Sequence, residues 1–159
     1  MYNVDSAQWE RKNMPQIQMV IPYLNVNDGW KAIDFYKRAF GAHVSNTIER
    51  EGGKLAHADV VVAGARFMVR EEYPAYNFRS PTALGGTAVN LFVYVDDVVS
   101  FTDRAIAEGA TVIRPVQEQF HGDLMAELED PFGHSWFFAT HISDMTEEEL
   151  TKRAKEAGL

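Results

Sequence analysis

The hydrophobic and polar positions of the chain follow the same order twice. Residues 23–42 and 92–110 each contain an apolar strand, an Asn or Asp that can cap a helix, a helix, and a Gly-Ala pair before another strand. Val26 corresponds to Val95 and Gly41 to Gly109, so nearly the same spacing separates both pairs. A repeat of this size cannot bury its apolar face alone. The pattern therefore predicts two modules that complete one another.

The first module is predicted over residues 18–71. Strand patterns occur at residues 18–26, 43–50, 55–62 and 66–71. Asn27 or Asp28 is placed to cap a helix that runs to about Phe40. Gly41 follows it, where a left-handed glycine commonly ends a helix.

A linker and a second module complete the predicted order. Residues 72–87 are rich in proline and glycine, which is typical of a connection between modules. The second module, residues 88–140, repeats the strand, the helix (capped by Asp97) and three further strands. Its strand patterns occur at residues 88–95, 111–114, 124–129 and 134–140. Thr146 and Glu149 then form a capping box, which predicts a C-terminal helix over residues 146–157. The prediction is one α+β domain over residues 1–159, built from two βαβββ modules and a final helix.

Charge and cysteine usage narrow the classes of function. A net charge of −8 argues against nucleic acid or an anionic membrane as a partner, because phosphate binding needs a basic face. No apolar run approaches the length of a membrane span, and the polar N-terminus, with Asp5 and Glu10, lacks the apolar core of a signal peptide. The absence of cysteine excludes a thiolate nucleophile and Cys-ligated zinc. These features favour a cytoplasmic protein.

Five segments carry a resemblance to a known family. They are DFYKRAFGA at 34–42, VDDV at 95–98, EGATVIRPV at 108–116, FHGD at 120–123 and EDPFGHSWFFATH at 129–141. They resemble the glyoxalase/bleomycin-resistance family of the vicinal oxygen chelate superfamily, and most closely its PhnB-like branch. The resemblance covers roughly residues 18–150. It implies curled mixed sheets that form a cup, in a homodimer. Such relatives include metal-dependent lyases, isomerases and dioxygenases, and also proteins that sequester antibiotics.

The resemblance also allows the metal site to be tested position by position. In metal-dependent relatives, four side chains on the first and last strand of each module hold one divalent ion. The corresponding positions here are Ile21, Met68, Asn90 and Phe137. Ile, Met and Phe lack the imidazole nitrogen or carboxylate oxygen that such ions prefer, and one Asn does not hold a metal. The expectation is that the metal centre of the family is absent and that no cofactor is bound.

Strand alternation predicts which side chains line the cup. The predicted ligand-binding residues are Tyr23, Asn25, Met68, Arg70, Asn90, Phe92, Tyr94, Met125 and Phe137, with Phe120 and Asp123 at the mouth of the second module. Aromatic and methionine side chains with a few polar groups suit an amphiphilic or aromatic small molecule. The rings of Tyr23, Phe92, Tyr94 and Phe137 are expected to converge.

His57 and Asp59 are the main candidates for chemistry. They share one face of a strand, and a carboxylate beside an imidazole can fix its tautomer and make it a general base. The alternative is a histidine at the rim or at a dimer interface. His57, Asp59 and Glu127 are also the candidate ligands of a displaced metal site. By contrast, His134 is expected to serve a turn, and His141 to be solvated at a strand edge.

Two functions from different classes remain. The first is a metal-free protein that binds an amphiphilic or aromatic small molecule in a cup between modules, as a homodimer, with no nucleic-acid or membrane partner. The second is a lyase, isomerase or dioxygenase-like enzyme that uses a displaced divalent metal or His57 as base. The residues do not name the ligand, because a fold supports many functions.

Overall fold

The structure is a computed structural model that describes residues 17–158. Module one contains β1 (Tyr23–Val26), α1 (Gly29–Phe40), β2 (His43–Arg50), β3 (Lys54–Val62) and β4 (Ala65–Glu71). The linker forms a 3₁₀ turn (Pro74–Tyr76) and a short helix, α2 (Pro81–Leu84). Module two contains β5 (Asn90–Tyr94), α3 (Val98–Ala107), β6 (Thr111–Glu118), β7 (Asp123–Glu129) and β8 (Ser135–His141), and α4 (Glu147–Glu156) follows. None of the described helices is both long and apolar enough to cross a membrane. The N-terminal residues Asp5 and Glu10 lie outside the described residues.

The two modules have the same topology, which confirms the predicted α+β repeat. Their sheets have the orders β1-β4-β3-β2 and β5-β8-β7-β6, and in each the first strand runs parallel to the last. Met68 lies between Tyr23 and Asp59 across the first sheet. Phe137 lies between Phe92 and Glu127 in the same way across the second. These two rows are therefore equivalent positions of the repeat.

The helix ends follow the predicted capping residues. The Asp28 side chain accepts a hydrogen bond from the Lys31 backbone N–H at the start of α1, and Gly41 ends this helix at a φ of 66°. Asp97 accepts from two backbone N–H groups at the start of α3. Thr146 and Glu149 form both hydrogen bonds of the capping box of α4. Local sequence thus determines where these helices start.

One face of each sheet packs against the helices, in a core that both modules share. Val26 and Val69 of the first sheet and Phe138 of the second are almost fully buried. The helices α1 and α3 contact each other as well as their own sheets. The Phe40 ring, on α1, lies 4.9 Å from the Trp136 ring, on β8. The modules therefore pack through their helical sides.

A buried carboxylate also joins the two modules. Asp130, in the turn before β8, accepts hydrogen bonds from Tyr36 Oη of α1 (2.7 Å) and Trp136 Nε1 (2.9 Å). It also accepts from the backbone N–H groups of Phe132 and His134. Burial, together with the nearby Asp130 carboxylate, raises the pKa of Tyr36 well above its ordinary value. The DPFGH segment is thus a junction between modules as well as a turn.

His134 and β6 differ in detail from the sequence prediction. Beyond its role in the turn, His134 reaches module one, where its Nε2 lies 3.0 Å from the Asn25 carbonyl oxygen. The strand predicted to end at Arg114 continues through Pro115 to Glu118. A proline is tolerated there because β6 is an edge strand, on which a missing N–H removes no central ladder bond.

Candidate functional site

The predicted lining residues lie on two open sheet faces. Face one is the side of the first sheet that carries Tyr23, Asn25, His57, Asp59, Met68 and Arg70. Face two is the side of the second sheet that carries Asn90, Phe92, Tyr94, Met125, Glu127 and Phe137. The opposite sides of both sheets are buried under the helices. Strand alternation thus separates the lining from the core as the sequence predicts.

The four aromatic rings expected to converge fall into two groups within one chain. On face two, the Phe92 ring stacks on Phe137 at 6.0 Å and lies 5.2 Å from Tyr94. Phe92 and Tyr94 are 49% and 50% exposed. Tyr23 does not join them, because β1 and β5 belong to separate sheets. Within one chain, Tyr23 therefore lies apart from the other three rings.

On face one, Tyr23, His57 and Asp59 form a connected chain of polar groups. Tyr23 Oη lies 2.9 Å from His57 Nδ1, and His57 Nε2 lies 3.5 Å from Asp59 Oδ1. Asp59 is only 4% exposed and accepts hydrogen bonds from Asn46 and Arg66. These bonds, that from Asn46 above all, lower the pKa of Asp59, so the carboxylate stays ionised at neutral pH. Strand alternation in the sequence placed His57 and Asp59 on one face. It gave no signal for Asn46, which lies in an irregular part of β2.

This arrangement limits what His57 can do directly. Both ring nitrogens already face a protein group, so a proton taken from a ligand would have to pass through the Tyr23 hydroxyl. Burial is the largest influence on that hydroxyl and raises the pKa of Tyr23, although Arg70 opposes the shift. The hydroxyl therefore keeps its proton at neutral pH. The chain is better suited to hold a polar ligand group than to abstract a proton.

Glu127 lies on face two and does not meet His57 or Asp59. Its carboxylate accepts a hydrogen bond from Ser135 Oγ at 3.1 Å and pairs with Arg114 at 3.2 Å. Within residues 17–158 no group of three or more His, Cys, Asp or Glu side chains could hold a metal ion. Within one chain, His57, Asp59 and Glu127 therefore do not form the expected displaced metal triad.

The positions that correspond to the metal ligands of the resembled family carry side chains with few donor atoms. Met68 lies beside Tyr23, Phe137 beside Phe92, and Asn90 beside Ser135, in the register that relates the first and last strand of each module. Together with Ile21, they supply one amide oxygen and no imidazole or carboxylate. This donor set does not fit the divalent cation that the metal-dependent relatives bind.

Asp123 is the centre of a second polar cluster, at one end of face two. It is only 2% exposed and lies 2.8 Å from Tyr94 Oη, 2.8 Å from His141 Nδ1 and 3.4 Å from His121 Nδ1. A cavity of about 440 Å³ adjoins this cluster. Because these groups already surround the carboxylate, it is suited to orienting them rather than to contacting a ligand. Phe120 packs edge-on against the His121 ring at 5.1 Å.

His141, which the sequence placed at a solvated edge, is held between two carboxylates. Its Nδ1 contacts Asp123 and its Nε2 lies 3.0 Å from Asp144. Both hydrogen bonds, that to Asp123 more strongly, raise the pKa of His141 above 6.5. The sequence gave no signal for this pairing, because Asp123 is brought to His141 by the β7–β8 register.

The raised pKa of His141 predicts a pH dependence of stability. The folded state binds the proton more tightly than the unfolded state, so the stabilisation is complete below pH 6.5 and is lost as the pH rises through the higher folded value. The melting temperature of the wild type should therefore fall more between pH 6 and pH 8.5 than that of His141→Gln. His43→Gln, at an exposed strand position, serves as the control. Parallel curves for wild type and His141→Gln would contradict the prediction.

Comparisons with known proteins agree with this geometry. The model of the glyoxalase/bleomycin resistance protein/dioxygenase superfamily matches residues 16–138. The chain belongs to this superfamily. The chain is similar to an uncharacterized protein of Mycobacterium bovis, with 34% identity over 140 residues that cover 86% of this chain and 92% of that protein.

Solved structures of similar proteins share the fold of this superfamily member. The crystal structure of TioX from Micromonospora sp. ML1 has a TM-score of 0.63 and 28% identity, over 79% of this chain and all of that one. The X-ray structure of an Arabidopsis thaliana gene product has a TM-score of 0.64 and 24% identity, over 78% of this chain and 99% of that one. The second likeness shows the fold alone.

Proposed function

We propose that this superfamily member binds an amphiphilic or aromatic small molecule on its two open sheet faces, without a metal. The observation that carries the proposal is the ring group of Phe92, Tyr94 and Phe137, of which the first two are half exposed. Contiguous exposed apolar patches, such as neighbouring rings on a sheet face, commonly mark binding sites. Tyr23 on face one supplies a further ring for the ligand.

The proposal includes a second copy of the chain. Within one chain the modules pack through their helices, so face one and face two both remain open. A symmetric homodimer that sets face one of one chain against face two of the other would enclose the ligand between them. Sedimentation at micromolar concentration should then give about 36 kDa, twice the 17.9 kDa chain. The DPFGH and EGATVIRP motifs support a place in the PhnB-like branch.

Truncation of one ring tests the proposal. We expect Phe92→Ala to weaken the binding of an aromatic ligand about tenfold, since each ring contact contributes about 0.5–1.5 kcal/mol beyond burial and the truncation also removes buried area. The fold should survive, because the side chains of Leu91 and Val93, not that of Phe92, pack against the core. A thermal-shift screen of aromatic antibiotics and quinones identifies compounds that bind the wild type. Titration of these compounds then compares their affinities for the wild type and for Phe92→Ala.

The matched control is Ile106→Ala, which truncates an exposed apolar side chain on α3, away from both faces. It should leave the affinity of every hit unchanged. If no compound in the screen stabilises the wild type, or if the hits bind Phe92→Ala as tightly, binding on face two is contradicted.

The second candidate function is a lyase or isomerase reaction in which His57 acts as base. The chain of Tyr23, His57 and Asp59 favours it, because proton transfer needs groups connected in this way. The raised pKa of Tyr23 argues against it. Conversion of a bound compound by the wild type but not by His57→Gln, with binding retained in the variant, would establish the enzyme.

A further inference from the structure

Arg70, on face one, is held in an unusually defined position. Its guanidinium carbon lies 4.2 Å from the centre of the Tyr23 ring and 3.3 Å from the centre of the Phe78 ring. Its Nε donates a 2.6 Å hydrogen bond to Asn25 Oδ1. Rings cover the guanidinium plane and Asn25 fixes one edge. The two terminal nitrogens form the remaining edge, and within residues 17–158 only Nε of this side chain has a hydrogen-bond partner.

Arg70 has no carboxylate partner among residues 17–158, although the chain carries a net charge of −8. Three described arginines are paired with carboxylates: Arg38 with Glu108, Arg66 with Asp59, and Arg114 with Glu127. Arg70 differs from the other unpaired arginines because it lies on face one between two rings. Partial burial lowers the pKa of Arg70, which reflects the cost of removing this cation from water. An arginine stays protonated nonetheless, so a positive charge without a counter-charge is kept on the candidate ligand face.

The neighbours of Arg70 form a polar row across three strands. Asn25 of β1 is its register partner on one side. Continuing the β3–β4 register by one residue places His57 on its other side, and His57 contacts the Tyr23 hydroxyl. Phe78 comes from the linker, where it pairs with Tyr73 through backbone hydrogen bonds. Two separate segments, β1 and the linker, therefore contact this guanidinium.

We propose that the free edge of Arg70 binds the carboxylate of an aromatic acid. This inference rests on the proposed function and names its ligand class. A guanidinium edge matches the two oxygens of a carboxylate through parallel hydrogen bonds. A phosphate dianion is a poorer match, because the other arginine of β4, Arg66, lies four residues away along the strand and is paired with Asp59. The rings that surround the site suit the aromatic body of the same ligand.

The test uses two probes that differ in charge but not in shape, 2-naphthoate and 2-naphthamide, titrated into the full chain by calorimetry. The wild type should bind naphthoate at least tenfold more tightly than naphthamide. In Arg70→Gln the preference for naphthoate over naphthamide should disappear. Arg70→Lys should keep only part of it, because lysine retains the charge but not the fork.

Asn25→Asp provides a variant that keeps Arg70 in place. The new carboxylate would pair with Arg70 and remove its free charge, so the preference for naphthoate over naphthamide should fall about tenfold. Arg153→Gln, on the exposed surface of α4, removes one positive charge elsewhere and should change neither affinity. Far-ultraviolet circular dichroism confirms that each variant is folded.

The outcomes separate this inference from the proposed function. Equal, tight binding of both probes to the wild type would overturn the carboxylate site and leave aromatic binding standing. If neither probe binds, the result would count against both the carboxylate site and the proposed binding of aromatic ligands. Tighter, Arg70-dependent binding of inorganic phosphate than of naphthoate would overturn the carboxylate as the ligand class.

Discussion

Replacing Asp130 with alanine is expected to destabilise the protein by about 3–5 kcal/mol, because buried hydrogen-bond donors lose their acceptor. Tyr36 Oη and Trp136 Nε1 both donate to this carboxylate inside the shared core. Two backbone N–H groups of the β7–β8 turn depend on it as well. Denaturant unfolding followed by tryptophan fluorescence measures the effect.

Tyr36→Phe is the matched control for the Asp130 prediction. It removes one donor and leaves the carboxylate with its three other bonds, so the cost should be about 1 kcal/mol. If Asp130→Ala proved no worse than Tyr36→Phe, the carboxylate would not hold the modules together as described.

Gly29→Ala should destabilise the protein by about 2–3 kcal/mol, the usual cost of overpacking a core. Gly29 is the first residue of α1, and a Cβ there would lie 2.4 Å from Leu55 Cβ on β3. The helix would have to move away from the sheet, and its N–H bond to the Glu71 carboxylate would be strained. Chemical denaturation of the purified variant gives the change in unfolding free energy.

The direction in which Gly29→Ala changes the free energy of unfolding tests whether α1 packs closely on β3. Without the contact to Leu55, alanine in a helix would stabilise by up to about 1 kcal/mol, because glycine is the poorer helix former. A more stable Gly29→Ala would therefore contradict the packing of α1 on β3. Lys37→Ala, at an exposed position of the same helix, should change stability by less than about 0.5 kcal/mol.

Much of the fold could be predicted from local patterns. The caps at Asp28 and Asp97 depend on neighbouring residues only, and both form as expected. Period-two alternation placed Phe92 and Tyr94 opposite Leu91 and Val93, because successive side chains of a strand point to opposite faces. The residues of the two open faces follow from the same rule.

The rest depends on contacts between distant segments. Strand alternation predicts which side of a strand is open, but it does not predict how two sheets are arranged in space. Tyr23 was therefore expected to lie with Phe92, Tyr94 and Phe137, which belong to the other sheet. Phe78 was part of a linker with no periodic signal, yet its ring covers Arg70. His141 meets Asp123 only because the β7–β8 register brings together two residues that are 18 positions apart.

Methyl NMR of the protein labelled with ¹³C-methyl methionine tests the central claim, ligand binding on the open faces, most directly. Met68 lies on face one and Met125 on face two, whereas Met145 lines the cavity beside His141 and Met19 is exposed near β1. On titration with a hit from the screen, the methyl resonances of Met68 and Met125 should shift and that of Met19 should not. Shifts confined to Met145, or none at Met68 and Met125 with a saturating ligand, would contradict binding on the faces.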